Sequence, residues 1–393
     1  MTGQVVYKDK YFPRTKDENR IWRRLKKGSH ILLLAPRRVG KTSLLRNIEL
    51  NPKDDYVFLY SIVQSCSTEH EYYQTIIENL FQSEFTDRLN KLKSWSQDKL
   101  DQLMASVKEV KLSEAGITFE NKDRTLNHTD LKAALRAINI DKKLIVVVDE
   151  FPDVLEKINT QHGHTAAESF LSGCRELWQD PLLDEKVQFI FTGSIGLDTL
   201  VNKLNLSDLI NALTTTTVDP FTPTQAIEFL NFVINDSEEN ITLADEVKQH
   251  LLDKVGWLMP YYIDLLWLSL EDFCSEEEVN IATIEHVDAA YEMLFNHQYR
   301  SYFAHWAERL ERLTSSEKQF AHQLLKLLSK QDMISPQEVH NLKQDPQFGQ
   351  THCNYVADCL EHDGYIFLNS DEQFQFTSPM LKQWWKRYAA RRL

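Results

Sequence analysis

The sequence predicts an α/β chain: a parallel sheet covered by helices, then a helical segment, then a C-terminal group of helices with one hairpin. Three observations predict it. Strand-like runs at 31–35, 56–63, 144–149, 187–192 and 215–218 alternate with helix-patterned stretches, and a strand buried on both faces of a parallel sheet reads as a near-continuous apolar run. After Pro220 the pattern is helical up to about Arg300. From Thr314 to Arg392 the order is helix, helix, helix, strand, strand, helix, which is the order of a winged helix.

Each element follows from its residues. Residues 15–27 place Ile21, Trp22 and Leu25 on one helical face. The apolar run 31–35 enters Pro36-Arg-Arg-Val-Gly-Lys-Thr-Ser43, and a helical pattern resumes at 44–48. A polar, helix-patterned insert occupies 68 to about 111, with a hairpin expected at 110–119 and a helix at 129–138. Towards the C-terminus, Thr314 or Ser315, Ser335 and Thr351 are expected to cap helices. Asp363-Gly364 stops the third of these helices, Tyr365–Leu368 pairs with 373–377, and Ser378-Pro379 opens the last one with proline at its first position.

Composition narrows the class. At 393 residues the chain has room for two to three domains, and 42% apolar residues supply a sizeable core. Only 11 glycines and 11 prolines disfavour a collagen-like or low-complexity protein. No run of 18 apolar residues is present, so no membrane span is expected. The first 14 residues lack the apolar stretch of a secretory signal. Five cysteines, at 66, 174, 274, 353 and 359, form no CxxC pair, which fits a reduced cytoplasmic protein and neither a disulfide framework nor a zinc site. The net charge of −14 argues against a bulk nucleic-acid coat. Residues 1–48 nevertheless carry a balance of +10, residues 300–393 of +1, and the middle of −25.

The basic segment surrounds a phosphate-binding pattern. Ala35-x-x-x-x-Gly40-Lys41-Thr42 lies between a strand and a helix, the context of a Walker A loop. Alanine stands where the first glycine is usual. Pro36, Arg37, Arg38, Val39, Gly40, Lys41, Thr42 and Ser43 are the expected ATP-binding stretch, with the N–H groups from about Arg38 to Thr42 wrapping the β-phosphate. Lys41 is expected to place its charge on the β- and γ-phosphates, and Thr42 to ligate Mg2+. Leu144–Asp149 then ends in Asp149-Glu150, at the C-terminal end of a strand expected beside the Walker A strand. Asp149 is expected in the magnesium shell, and Glu150 to polarise the attacking water. A further strand ends in Thr192-Gly193-Ser194. Strand C-termini are where ligands sit in open α/β sheets, so Thr192 or Ser194 is placed at the γ-phosphate or the water.

With these residues, the chain resembles the archaeal-type P-loop ATPase family, near the AAA+ and STAND groups. The matching stretches are Tyr11-Phe-Pro-Arg14, 35–43, Val148-Asp-Glu-Phe-Pro-Asp153, Thr192-Gly-Ser-Ile-Gly196, Asp219-Pro-Phe221, Gly256-Trp-Leu-Met-Pro260-Tyr-Tyr262 and 377–385. The resemblance implies a P-loop ATPase core at 1–220 with an insert at about 68–128, a helical lid at 221–300 and a winged-helix domain at 301–393. It also implies that Phe12, Pro13 and Arg14 flank the adenine and that Pro260 approaches the nucleotide. Where AAA+ proteins carry an arginine finger, 196–213 offers only Lys203, and 256–262 lacks the second sensor arginine. Such a cation is worth roughly 10³–10⁵ in rate, so slow intrinsic hydrolysis is expected. Arg37, Arg38 and Arg175 are the candidate substitutes.

The third C-terminal helix, expected at 351–362, holds Asp358 and Glu361 and no Lys or Arg, so it is poorly equipped to read bases. Lys382, Lys386, Arg387, Arg391 and Arg392, with Trp384 and Trp385, form a basic ending that permits weak DNA binding at most, or else packs onto the hairpin. The expected function is an ATP- and Mg2+-dependent regulatory switch acting on a protein partner through lid and winged-helix movement. The alternative is a DNA-engaging ATPase of the origin-recognition or transposition-helper type.

Overall fold

The computed structural model describes residues 5, 6, 8–82, 110–113, 116–119, 125–138, 141–193 and 196–388. The chain forms two compact units. One comprises Arg14–Leu34 with Leu44–Thr217; the other comprises Met1–Pro13 and Ala35–Ser43 with Val218–Leu393.

The first unit is built on a sheet of β1 (His30–Leu34), β2 (Tyr56–Ile62), β5 (Lys143–Asp149), β6 (Val187–Thr192) and β7 (Leu213–Thr217). The order across the sheet is β2-β5-β6-β1-β7, and every pairing is parallel. Leu144 to Val148 are fully buried, as a central strand covered on both faces requires. At the edge, β7 is Leu-Thr-Thr-Thr-Thr, with Leu213 and Thr216 buried and Thr215 and Thr217 exposed. The strand ending in Asp149 is not beside the Walker A strand, as the sequence suggested; β6 lies between them. Apolar patterning marks a buried strand but carries no information about its neighbour.

Helix α1 (Thr15–Lys26) buries Ile21, Trp22 and Leu25, with the Trp22 ring 5.2 Å from Tyr56 and 5.8 Å from Phe58. Helix α2 (Lys41–Leu50) follows the Walker A loop. Helix α3 (Glu69–Gln82) supplies Tyr72 and Tyr73 to an aromatic cluster with Phe151 and Phe170. The expected hairpin appears as β3 (Val110–Ser113) and β4 (Gly116–Phe119), antiparallel. Helix α4 (His128–Ala137) starts in a capping box of Asn127 and Asp130. Helices α5 (Phe151–His162) and α6 (His164–Trp178) meet at Gly163 alone, a tight junction with His164 Nε2 2.7 Å from the Leu204 carbonyl, and the short α7 (Pro181–Asp184) and α8 (Leu197–Lys203) follow.

In the second unit, α9 (Pro223–Asp236) opens on a Thr222–Gln225 capping box, and α10 (Asp245–Val255), α11 (Pro260–Glu276) and α12 (Ile284–Met293) follow. The region is not wholly helical: Thr242–Leu243 and Ile281–Ala282 pair in parallel. Next come α13 (Arg300–Leu310), α14 (Ser315–Lys330), α15 (Pro336–Lys343) and α16 (Cys353–His362). The hairpin of β10 (Ile366–Leu368) and β11 (Phe374–Phe376) precedes α17 (Pro379–Tyr388). Thr314 and Ser335 cap their helices, but Thr351 does not. Its N–H bonds to the Phe348 carbonyl at 2.9 Å in a preceding turn, so α16 starts two residues later, with His352 at the cap position.

These elements interlock within the unit. Ser378 Oγ donates to the Val255 carbonyl at 2.9 Å, and Tyr365 Oη donates to the Trp306 carbonyl at 2.5 Å. A Cβ on Gly364 would overlap the Trp257 ring, and one on Gly256 would overlap Pro379. Arg309 forms a buried ion pair with Asp363. Trp384 and Trp385 are 4% and 2% exposed, so they are core and not a binding surface. Among the described residues, no helix is long and apolar enough to cross a membrane.

Candidate functional site

The Walker A loop belongs to the second unit. Gly40 has φ +90° with open space where a Cβ would stand, so its backbone and not crowding calls for glycine. Arg38 also adopts a left-handed φ of 71°, while Val39 between them is fully buried. Turn conformations of this kind line successive N–H groups around an anion-binding concavity. Helix α2 begins at Lys41, whose side chain is 8% exposed, and its first turn presents N–H groups that lack helical partners. A buried cation at a helix N-terminus suits an anion. Ser43 Oγ is turned away, accepting from the Val6 N–H at 3.1 Å.

The Arg38 guanidinium lies 4.5 Å from the Tyr261 ring centre, in the first turn of α11, one residue after Pro260. Tyr261 Oη donates to the Tyr302 carbonyl at 2.9 Å. His305, on α13, is buried, and burial together with the charges of Arg38 and Arg37 brings its pKa down to about 3. Phe12 does not stand alone: its ring meets Phe221, Phe229 and Phe232 edge-on at 5.4–5.7 Å. Pro13 is exposed.

The C-terminal edge of the sheet, in the first unit, gathers a second set of residues. Asp149 ends β5 and is 4% exposed. Its Oδ2 accepts from Tyr60 Oη at 2.5 Å and its Oδ1 from the Glu150 N–H at 3.1 Å. Glu150 has φ 63° and ψ 35°, a left-handed conformation in a non-glycine residue, at the N-cap of α5. That conformation costs about 1–2 kcal/mol and persists only where surrounding structure holds it. Thr192 pairs with Asp149 across β5 and β6, and its buried Oγ1 has no hydrogen-bond partner among the described residues. Ser194 lies outside the described residues. Arg14 is buried and pairs with Asp17 at 2.8 Å on its own helix. Arg175 donates to Gln179 at 3.1 Å.

Two residues here escaped the sequence reading. A Cβ on Gly193 would overlap Pro152 and lie 3.6 Å from Glu150 Oε2, so only glycine lets the β6 exit pass the start of α5. The Thr-Gly-Ser run drew attention to its hydroxyls and not to this close approach. Tyr60 carried no signal, because only strand register places it beside Asp149.

A buried lysine and a helix N-terminus suit a polyphosphate. Among the described residues no three metal-ligating side chains cluster. Magnesium in phosphoryl-transfer sites takes one or two protein oxygens, completing its shell with phosphate and water. One carboxylate at the end of a strand, Asp149, fits that pattern and not an all-protein cage.

A parallel sheet in this order, with a Gly-Lys-Thr loop after β1 and Asp-Glu after β5, defines the class of P-loop ATPases. The chain belongs, more narrowly, to the family of ATPase domains found predominantly in Archaea, which matches residues 12–263. Its fold is similar to that of the Walker-type ATPase PABY2304 of Pyrococcus abyssi, at 13% identity and TM-score 0.62 over 96% of each chain. It is also similar to the Aeropyrum pernix ORC2 protein, solved in ADPNP and ADP complexes, at 12% identity and TM-score 0.54 over 98% of this chain and 97% of that one. No curated protein matches the chain.

Proposed function

We propose that this protein binds ATP with magnesium, hydrolyses it slowly, and uses the cycle as a switch that governs a protein partner. Lys41 and the N–H groups of 38–42 hold the phosphates; Thr42 and Asp149 hold magnesium, which neutralises phosphate charge. Glu150 orients the attacking water, and Thr192 donates its hydroxyl to the γ-phosphate or that water. Phe12, Pro13, Arg14 and Pro260 border the base, with Phe12 offering its ring edge and Pro260 the start of α11. The functional divisions are a core at 1–220, a lid at 221–300 and a winged helix at 301–393. Five free cysteines, four of them buried, accord with a cytoplasmic setting.

The observation that carries the switch is the Arg38–Tyr261 contact. It ties the Walker A loop to α11, and Trp257 just before α11 packs against Gly364 at the foot of the hairpin. A rearrangement of the loop around a γ-phosphate therefore has a packed route to the C-terminal elements. Arg38→Ala tests this: ATP should still bind, but the ATP-dependent change in hydrogen exchange over 353–388 should vanish. An unchanged response in the variant would refute the route.

The second reading is a DNA-engaging ATPase. The likeness in fold to the Aeropyrum pernix ORC2 protein favours it. The chemistry of α16 opposes it, since that helix offers two acidic side chains and no basic one other than histidine.

A further inference from the structure

We infer that Tyr60 is a positioning residue for magnesium binding, holding the Asp149 carboxylate in the orientation a metal requires. This rests on the magnesium role proposed above for Asp149. In the parallel register Tyr60 stands opposite Val147 and Ile62 opposite Asp149. Residues two apart on a strand share a face, so Tyr60 and Asp149 project on the same side of the sheet. The Tyr60 hydroxyl donates to Asp149 Oδ2 at 2.5 Å, while the Glu150 N–H donates to Oδ1. A carboxylate turns easily about its terminal torsion. Two donors from different elements, one on each oxygen, define its plane. A carboxylate oxygen carries two lone pairs, so accepting from one donor is compatible with ligating a metal. Magnesium demands near-octahedral geometry and tolerates little swing in a ligand.

The phenol is itself held in place. The Arg46 guanidinium lies 3.6 Å from the centre of the Tyr60 ring, and Arg46 pairs with Glu49 at 2.7 Å. Arg46 is four residues beyond Thr42, one turn further along α2. The helix that starts at the phosphate loop thus clamps the residue that orients the Asp149 carboxylate. Partners of this kind, behind a metal ligand, typically contribute about 10–100-fold in metal affinity.

The test compares wild type, Tyr60→Phe and Asp149→Ala in the full chain. ADPNP binding is measured by calorimetry across a magnesium titration and again in excess EDTA. Tyr60→Phe keeps the ring and its stack on Arg46 but removes the donor. Its half-maximal magnesium concentration should rise by about tenfold, with metal-free affinity and melting temperature unchanged. Asp149→Ala should abolish the magnesium dependence. If Asp149→Ala abolishes it while Tyr60→Phe titrates like wild type, Tyr60 does not position the ligand and the inference falls alone. If Asp149→Ala titrates like wild type, the metal role of Asp149 falls and takes the inference with it. A Tyr60→Phe protein that loses metal-free affinity in equal measure would show a structural role only.

Discussion

Lys41 is the single residue on which phosphate binding most depends. A lysine that is 8% exposed at a helix start is placed to meet an anion. Lys41→Ala should weaken ATP binding by about 10–100-fold, the range for a charge-assisted hydrogen bond; calorimetry reads this directly, and unchanged affinity would remove 35–43 as the phosphate site. Glu150 makes a different prediction. Its left-handed backbone is strained for any residue with a Cβ, so Glu150→Gly should raise the unfolding free energy by about 1 kcal/mol while stopping turnover. Glu150→Gln keeps the strain and the shape but loses the base, so it should bind ATP, turn over negligibly and melt like wild type. Denaturant unfolding of the two variants beside their steady-state hydrolysis separates strain from chemistry.

Elements show what the sequence could and could not reveal. The strand–loop–helix around 30–50 and the strand ending at Asp149 were legible because each signal is local: an apolar run, a glycine, a lysine, a pair of acids. The order of β5, β6 and β1 was not legible, since pairing is decided between segments distant in the chain, Leu144 with Val187 and Ile31 with Ile190. For the same reason Tyr60 and Gly193 were invisible as supporting residues. Gly193→Ala should push Pro152 aside and misplace Glu150, lowering hydrolysis by about tenfold or more while nucleotide affinity holds; single-turnover assays beside calorimetry distinguish the two. The Arg309–Asp363 pair fixes α13 to the end of α16. Burial alone would raise the Asp363 carboxyl, but the Arg309 guanidinium and His362 hold it below its ordinary value. A depressed carboxylate stabilises above its unfolded pKa, and that contribution is lost as pH falls through the lowered folded value. Arg309→Met strands the charge and should cost about 3–5 kcal/mol at neutral pH, and less in acid once Asp363 protonates; urea unfolding at two pH values reads the difference.

At the scale of the whole molecule, the issue is what the C-terminal elements serve. DNA binding should be weak. Of the basic residues expected to touch phosphate, Lys382 pairs with Asp332 at 2.6 Å and Arg387 with Glu292 at 2.5 Å; Arg391 and Arg392 lie outside the described residues. Log affinity falls by about 0.9 per phosphate contact for each decade of salt. Duplex anisotropy should therefore show a shallow salt slope and negligible binding at physiological salt, and tight, sequence-selective binding there would favour the DNA-engaging alternative. The most direct test of the switch is hydrogen exchange on Glu150→Gln, a variant that should hold ATP unhydrolysed, compared without nucleotide, with MgATP and with MgADP. MgATP, unlike MgADP, should change protection at 256–262 and again at 353–385. Protection confined to the phosphate loop and the Asp149 strand, with the C-terminal elements identical in all three states, would contradict the switch.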